Sequence, residues 1–448
     1  MVLRMIQYIS MILGMAVVIY LMIKGWNPII IGIAASAVVI FLNGLSYSET
    51  MMGTFFPAFS GMFLSLFPPI FSGSLLAQVY NRSGAVETIA NKMIAFLLPD
   101  LEQKKGVWNY AKVVLGLVVV CGTIAYCGMN CLVVLIVMYP IALRLMEKAG
   151  IPKRFVMGIL SGGVYTFALG GPGSAEVLNV LAMQASGTPS YAGLVGGTVA
   201  ALTEIAVMTL VMSVLIKRAV DRGETFELGP NDLKVRQKSD SQNCPGMLLS
   251  ILPLLVMIGL FNLCEVDIFT ATIVAWLLSV LFFWPQLSGM KDLMDICSEG
   301  AKGAFPPVSS VGAFVGFTAI IQSLPNFQVL MDGIFALKVP AALILILAIA
   351  LVAGLTGSSS SAVRIGIPLV LERCQAAGLS RAFVHRVSCF AATTIDTMPW
   401  STAVIINLNI SDLKLKDAYP PMFVSTCLAT ICGTIVCAVV MYLFPMLP

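Results

Sequence analysis

The sequence predicts an all-α polytopic membrane protein made of two inverted repeats of five transmembrane helices, each repeat with one re-entrant hairpin and one broken helix. Three observations carry this. The 448 residues are 58% hydrophobic and only 11% charged, where a soluble domain carries about 25% charged residues. Apolar runs of spanning length follow one another from end to end. The second half of the chain repeats landmarks of the first at a constant offset.

Taken in order, the apolar runs are Met5–Met22, Pro28–Leu42, Phe55–Val79, Phe155–Leu181, Tyr191–Ile216, Met247–Leu263, Ile268–Trp284, Ala304–Gln322, Val384–Leu408 and Met422–Leu443. Several sit near the lower end of the ~17–25 residues a bilayer needs. The first lacks a small-residue cleavage site and reads as a span rather than a signal peptide. Ala85–Leu98 has the pattern of an interfacial amphipathic helix. Val113–Leu145 and Val339–Leu371 are too long for one span and are interrupted at Gly122–Asn130 and Gly354–Ser361. They read as re-entrant hairpins over residues 113–147 and 340–374. The spans over 155–182 and 383–409 are broken by polar stretches containing Gly or Pro.

Aligning Gly150 with Gly378 also pairs Ala125 with Ala353, Pro140 with Pro368, Ala149 with Ala377, Phe155 with Phe383, Thr166 with Thr394 and Tyr191 with Tyr419, all at one offset without a gap. Single identities mean little in apolar sequence, but the shared order of hairpin, loop, broken span and span points to two repeats, 1–220 and 246–448. Residues 221–245 form a cytoplasmic linker. Five spans per repeat is an odd number, so the second repeat is inverted. Placing Lys217–Cys244 in the cytoplasm puts 20 of the 26 Lys and Arg on that side, as positive-inside bias requires. Arg4, Lys338, Arg373, Arg381 and Arg386 fall outside, and Arg364 falls in the membrane. The expected protein is multi-pass in the cell inner (plasma) membrane with both termini outside.

Eleven cysteines show no metal-ligand or disulfide spacing and read as small core hydrophobes. A single histidine and the lack of Walker, Rossmann or zinc motifs argue against an enzyme, a metal site or a nucleic-acid partner. No cofactor is expected beyond H+ or Na+ as a coupling ion.

Lipid offers no hydrogen bonds, so unwound backbone at membrane depth survives only around a cavity or inside protein. Four breaks should therefore converge: the hairpin tips Gly122–Asn130 and Gly354–Arg364, and the interruptions Gly170–Ser174 and Thr397–Thr402. Helix N-termini after the breaks supply partial positive charge, and freed carbonyls can coordinate a cation. Ionised groups in spans are costly and mark function, which singles out Glu176, Glu204 and Asp396. Bland readings stand beside these. Glu176 and Arg364 can form a structural ion pair, Asp396 can cap the helix after its break, and Glu204 can be an inter-helix hydrogen-bond partner. His385 reads as structural near the outer surface, Tyr126 and Trp400 as packing aromatics, and Ser358–Ser361 as a close-packing device.

The segment Tyr126-Cys127-Gly128-Met129-Asn130, followed by Tyr139-Pro140 and Ala149-Gly150-Ile151-Pro152-Lys153-Arg154, resembles the first hairpin of the gluconate permease family of the ion transporter superfamily. Pro172-Gly173-Ser174 with Asn179 is similar to its first helix break. Gly354-Leu355-Thr356-Gly357-Ser358, His385-Arg386-Val387, and Asp396-Thr397-Met398-Pro399 with Ala403-Val404-Ile405 resemble its second half. The resemblance implies a secondary importer of small organic acids such as gluconate, glycerate, hydroxybutyrate or D-serine, usually driven by protons. It also implies a homodimer with a fixed scaffold and a moving transport domain. Three positions depart from the family: Arg364 replaces a small residue, Glu176 a glutamine, and Trp400-Ser401-Thr402 a histidine-asparagine-glycine. These changes suit a substrate with a second carboxylate or an amino group better than gluconate.

The leading expectation is a cation-coupled symporter for a small carboxylate in the membrane lipid. Arg364 with Thr356, Ser358, Ser359 and Ser360 would take the carboxylate. Ser174, Asn130, Thr397 and Ser401 would take hydroxyl or amino groups, Tyr126, Thr402 and Glu176 would line the same substrate site, and Glu176 or Asp396 would couple the ion. The rival is a cation/proton antiporter without organic substrate.

Overall fold

The computed structural model describes residues 2–24, 26–97, 106–129, 131–229, 232, 244–264, 266–327, 329, 339–399 and 401–445. Every regular element among them is helical: α1 (Val2–Ile23), α2 (Pro28–Leu42), α3 (Tyr47–Thr50), α4 (Phe56–Ser83), α5 (Ala85–Leu97), α6 (Val107–Tyr126), α7 (Cys131–Ala149), α8 (Val156–Val164), α9 (Phe167–Gly170), α10 (Val177–Ser186) and α11 (Leu194–Asp221). The second half supplies α12 (Met247–Asn262), α13 (Ile268–Phe283), α14 (Met290–Ser323), α15 (Ala341–Thr356), α16 (Ser359–Ala376), α17 (Arg381–Ala392), α18 (Thr402–Ser411), α19 (Leu415–Phe423) and α20 (Ala429–Leu443). By length and composition, five described helices can cross a membrane, or six if the bent pair Tyr47–Leu64 and Phe67–Ser83 counts as one; Pro28–Leu42 and Met247–Asn262 are shorter apolar helices. The 20-residue helix Val107–Tyr126, read as a re-entrant arm, passes the same test.

Large apolar side chains cover much of the surface: Leu64 is 76% exposed, Phe96 85% and Leu263 85%. Water would penalise such a surface, whereas lipid tails do not. Several helices overrun the apolar runs that announced them. Helix α14 begins 14 residues before Ala304, and its watery end is held by Arg82 Nε to Asp292 Oδ1 at 3.2 Å. Apolar length measures the bilayer, while charged helix ends continue into solvent.

Two packing groups emerge. One joins α1, α2, the π turn Met51–Phe55 and α14 through Ile31, Val39, Phe55, Phe314 and Phe317. A larger core joins α4–α8, α10 and α11 to α12–α18 and α20. Within it, contacts recur in pairs: a Cβ on Gly158 would meet Pro421 Cβ at 2.6 Å, and one on Gly193 would meet Arg386 Cβ at 2.8 Å. Position 158 plus the repeat offset is 386, and 193 plus the same offset is 421. Gly163 of α8 lies against backbone of α6, with Val118 O 2.6 Å and Gly122 N 3.0 Å from a Cβ placed there. Backbone cannot rotate away, so Gly163→Val is expected to lose about 1–3 kcal/mol, read as a lower unfolding midpoint in detergent. An unchanged midpoint would show that α6 and α8 separate freely.

The hairpin tips are tighter than their sequences suggest, while the helix breaks are longer, running over 171–176 and, among the described residues, 393–399 and 401. Helix α6 runs through Gly122 to Tyr126, and only Cys127–Met129 of its tip is non-helical among described residues. At the second tip, Gly357 takes φ +59° to end α15, and Ser358 accepts the Ser361 N–H at 3.3 Å to start α16. Two residues make the turn, so Ser359, Ser360 and Arg364 are helical rather than part of an unwound run. Asp396 lies inside the second break, between α17 and α18, instead of preceding it.

Candidate functional site

The first break is pinned from every side. Tyr126, at the tip of α6, donates its hydroxyl to Pro172 O, and its own carbonyl accepts Ala175 N–H at 3.2 Å. Asn262 Nδ2 donates to Gly173 O at 3.1 Å, and Asn179 Nδ2 to Ser174 O at 2.8 Å. Ser174 is fully buried; its hydroxyl donates to Ala168 O at 2.6 Å and accepts Glu176 N–H at 3.2 Å. The carbonyls freed by the break, expected to be open to a cation, are thus taken by protein donors. Buried backbone oxygens need partners, and side chains supply them here.

Arg386 completes this accounting. Its guanidinium is fully buried and donates to Gly170 O, to Ser190 O at 2.8 Å and to Asn179 Oδ1 at 3.1 Å, and its Nε to Ala192 O at 2.8 Å. The charge count placed Arg386 outside and His385 near the outer surface; both are instead buried in α17. His385 contacts Thr188 Oγ1 at 2.6 Å and Asn179 Oδ1 at 3.0 Å. A planar fork of five donors matches the diverging carbonyls of a broken helix. The signal was present in sequence, because Arg386 falls within the run Val384–Leu408 and belonged with the membrane charges.

Glu176 caps α10, accepting Leu178 N–H on Oε2 at 3.1 Å, while Oε1 accepts the Cys131 thiol at 3.5 Å. The capping role considered for Asp396 falls instead to Ser401, which caps α18 by accepting Val404 N–H at 3.3 Å. Asp396 is 6% exposed and lies beside Ser359 at the start of α16, and its Oδ1 has no hydrogen-bond partner among the described residues. Cys131 and Tyr165 lie within electrostatic reach of both Glu176 and Asp396. This brings together the start of α7, the first break, the second break and the start of α16. Cys131, read as a core hydrophobe, and Tyr165, at the interruption between α8 and α9, were missed because neither type of residue is distinctive in apolar sequence.

Arg364 is half-buried in the second turn of α16 and makes no ion pair or hydrogen bond among the described residues, so the structural pair with Glu176 is not formed. Thr397 is buried and shares a hydrogen bond with Thr426 Oγ1 at 2.5 Å. Ser360 is half-buried on the first turn of α16. Asn130 and Trp400, and the side chains of Thr356 and Thr402, lie outside the described residues. Glu204 packs against Gly433, and among the described residues neither carboxyl oxygen is bonded, so the inter-helix hydrogen bond expected of it is not formed among them.

A cavity of 310 Å³ lies along α10, lined by Val180, Met183, Gln184, the α4 prolines Pro68 and Pro69, and Phe261, Asp267, Ile268 and Phe269. Its volume is at the lower end of the ~300–1,000 Å³ usual for small-molecule sites.

No family model matches the chain. Over 95% of its length, and 96% of the relative's, it is 23% identical to a Bacillus subtilis (strain 168) protein named "Uncharacterized transporter YxjC".

Proposed function

We propose that this chain is a membrane transporter that imports a small organic anion, a hydroxy or sugar acid, dicarboxylate or amino acid, coupled to H+ or Na+. The single observation that carries this reading is the meeting of helix breaks and helix-pair tips: Glu176 at the first break takes the Cys131 thiol of the first tip at 3.5 Å, and buried Asp396 in the second break lies beside Ser359 of the second tip with one carboxylate oxygen unbonded among the described residues. Orphaned buried polar atoms call for a ligand or an ion, and broken helices facing each other are how many secondary transporters build a site. The relative named as a transporter supports the class but no substrate.

Two inverted repeats with an elevator-type motion are part of the same reading. The paired contacts of Gly158 with Pro421 and Gly193 with Arg386 support the repeats. Sidedness is supported by contacts that join segments assigned to one face, Arg82 with Asp292 and Arg154 with Glu224 on one, Asn43 with Ser10 and Ser190 with Asn262 on the other. The gluconate permease relation, the homodimer and the inner-membrane location with both termini outside rest on the motifs and charge pattern given above.

Arg364 is the carboxylate partner in this reading. Arg364→Lys is expected to lose most uptake in proteoliposomes, because a point charge does not replace a bidentate fork. Thermal unfolding across a panel of carboxylates, with and without sodium, identifies the ligand, since binding to the folded state raises the midpoint by mass action. Near-normal uptake in Arg364→Lys removes Arg364 from the site. Shifts with cations alone, and none with any carboxylate, favour the cation/proton antiporter.

A further inference from the structure

A second cavity lies at the other end of the core, where α11 ends. Its volume is 160 Å³, and it is lined by Arg154, Phe155, Leu215, Arg218, Ala219, Arg222, Pro420 and Pro421. Three arginines from two separate elements line one small space. Only Arg154 is compensated, through Nε and Nη2 to the Glu224 carboxylate at 2.6 and 3.0 Å. Arg218 and Arg222 make no ion pair or side-chain hydrogen bond among the described residues, and both are exposed. Nearby Asp221 is already paired with Lys217.

The ordinary account is that basic residues at a helix C-terminus complement the helix dipole, worth about 0.3–1 kcal/mol each. That account explains neither the cavity nor Arg154 on its opposite wall. Two like charges one turn apart also repel by about 0.2–0.5 kcal/mol, a cost that an anion between them reverses. At 160 Å³ the space is below the ~300 Å³ floor of ordinary metabolite sites, and guanidinium forks match phosphate geometry. The remaining wall, Phe155, Leu215, Ala219 and the two prolines, is apolar and continuous with the spanning part of α11.

We propose that this cavity binds a phosphate group, held by Arg218 and Arg222 with Arg154 opposite, and that its apolar wall suits the phosphate of an anionic phospholipid headgroup. Its position gives the site a consequence. Pro421 packs on Gly158 where the two halves meet, so a phosphate seated there clamps α11 and α19 to the turn before α8. The proposal is independent of which substrate the central site carries.

The test uses purified protein in detergent, titrated with phosphatidylglycerol, phosphatidylcholine or inorganic phosphate, with native mass spectrometry and the unfolding midpoint as readouts. Wild type is expected to retain phosphatidylglycerol in preference to phosphatidylcholine and to gain midpoint saturably. The double variant Arg218→Gln with Arg222→Gln should bind it about 30-fold more weakly, taking about 1 kcal/mol per surface charge. Displacement of phosphatidylglycerol by inorganic phosphate, with the same midpoint gain, would identify the free anion as the ligand of the same site. Equal retention of phosphatidylcholine, or undiminished binding in the double variant, overturns the proposal. Should the double variant fail to fold, wild type decides: a phosphatidylglycerol preference that does not weaken between low and high salt also overturns it.

Discussion

Arg386→Met should cost the protein several kcal/mol of stability and leave little folded material. The methionine keeps the volume of the buried stem but donates nothing, and Gly170 O, Ser190 O, Ala192 O and Asn179 Oδ1 all lose a hydrogen bond at once. Leaving a buried acceptor unsatisfied costs about 1–3 kcal/mol, so losses at several of these oxygens together take a large share of a typical ~5–15 kcal/mol fold. Arg386→Lys should be intermediate, because three donors on one nitrogen cannot reach four diverging acceptors. The unfolding midpoint and the monodisperse yield in detergent check this. A methionine variant with wild-type midpoint and uptake would mean that the first break holds itself together.

Asp396→Asn should separate coupling from folding. The amide is isosteric, can keep an oxygen facing Ser359, and removes a buried ionisable group whose Oδ1 has no partner among the described residues, so stability should hold or rise. Coupled uptake should be lost. A coupled ion typically changes substrate affinity by about 5–150-fold, and in the variant that ratio should fall to about one. Counterflow and ion-titrated thermal shifts in proteoliposomes and detergent measure it. Uptake that still follows the ion gradient would make Asp396 a structural residue, and Glu176, whose oxygens are already engaged by Leu178 N–H and Cys131, the remaining coupling group.

Sequence by itself determined the helical class, because a chain that is 58% apolar and 11% charged has few other ways to satisfy its backbone. It also located the breaks, since Gly357, Gly173 and Gly128 take positive φ there, a conformation other residues resist. Tertiary structure alone decided which groups stay open. Local sequence cannot say that Arg386 crosses from the second half to close the carbonyls of the first, or that the Cys131 thiol reaches Glu176. These pairings join residues far apart in the chain, and period and composition carry no information about such partners.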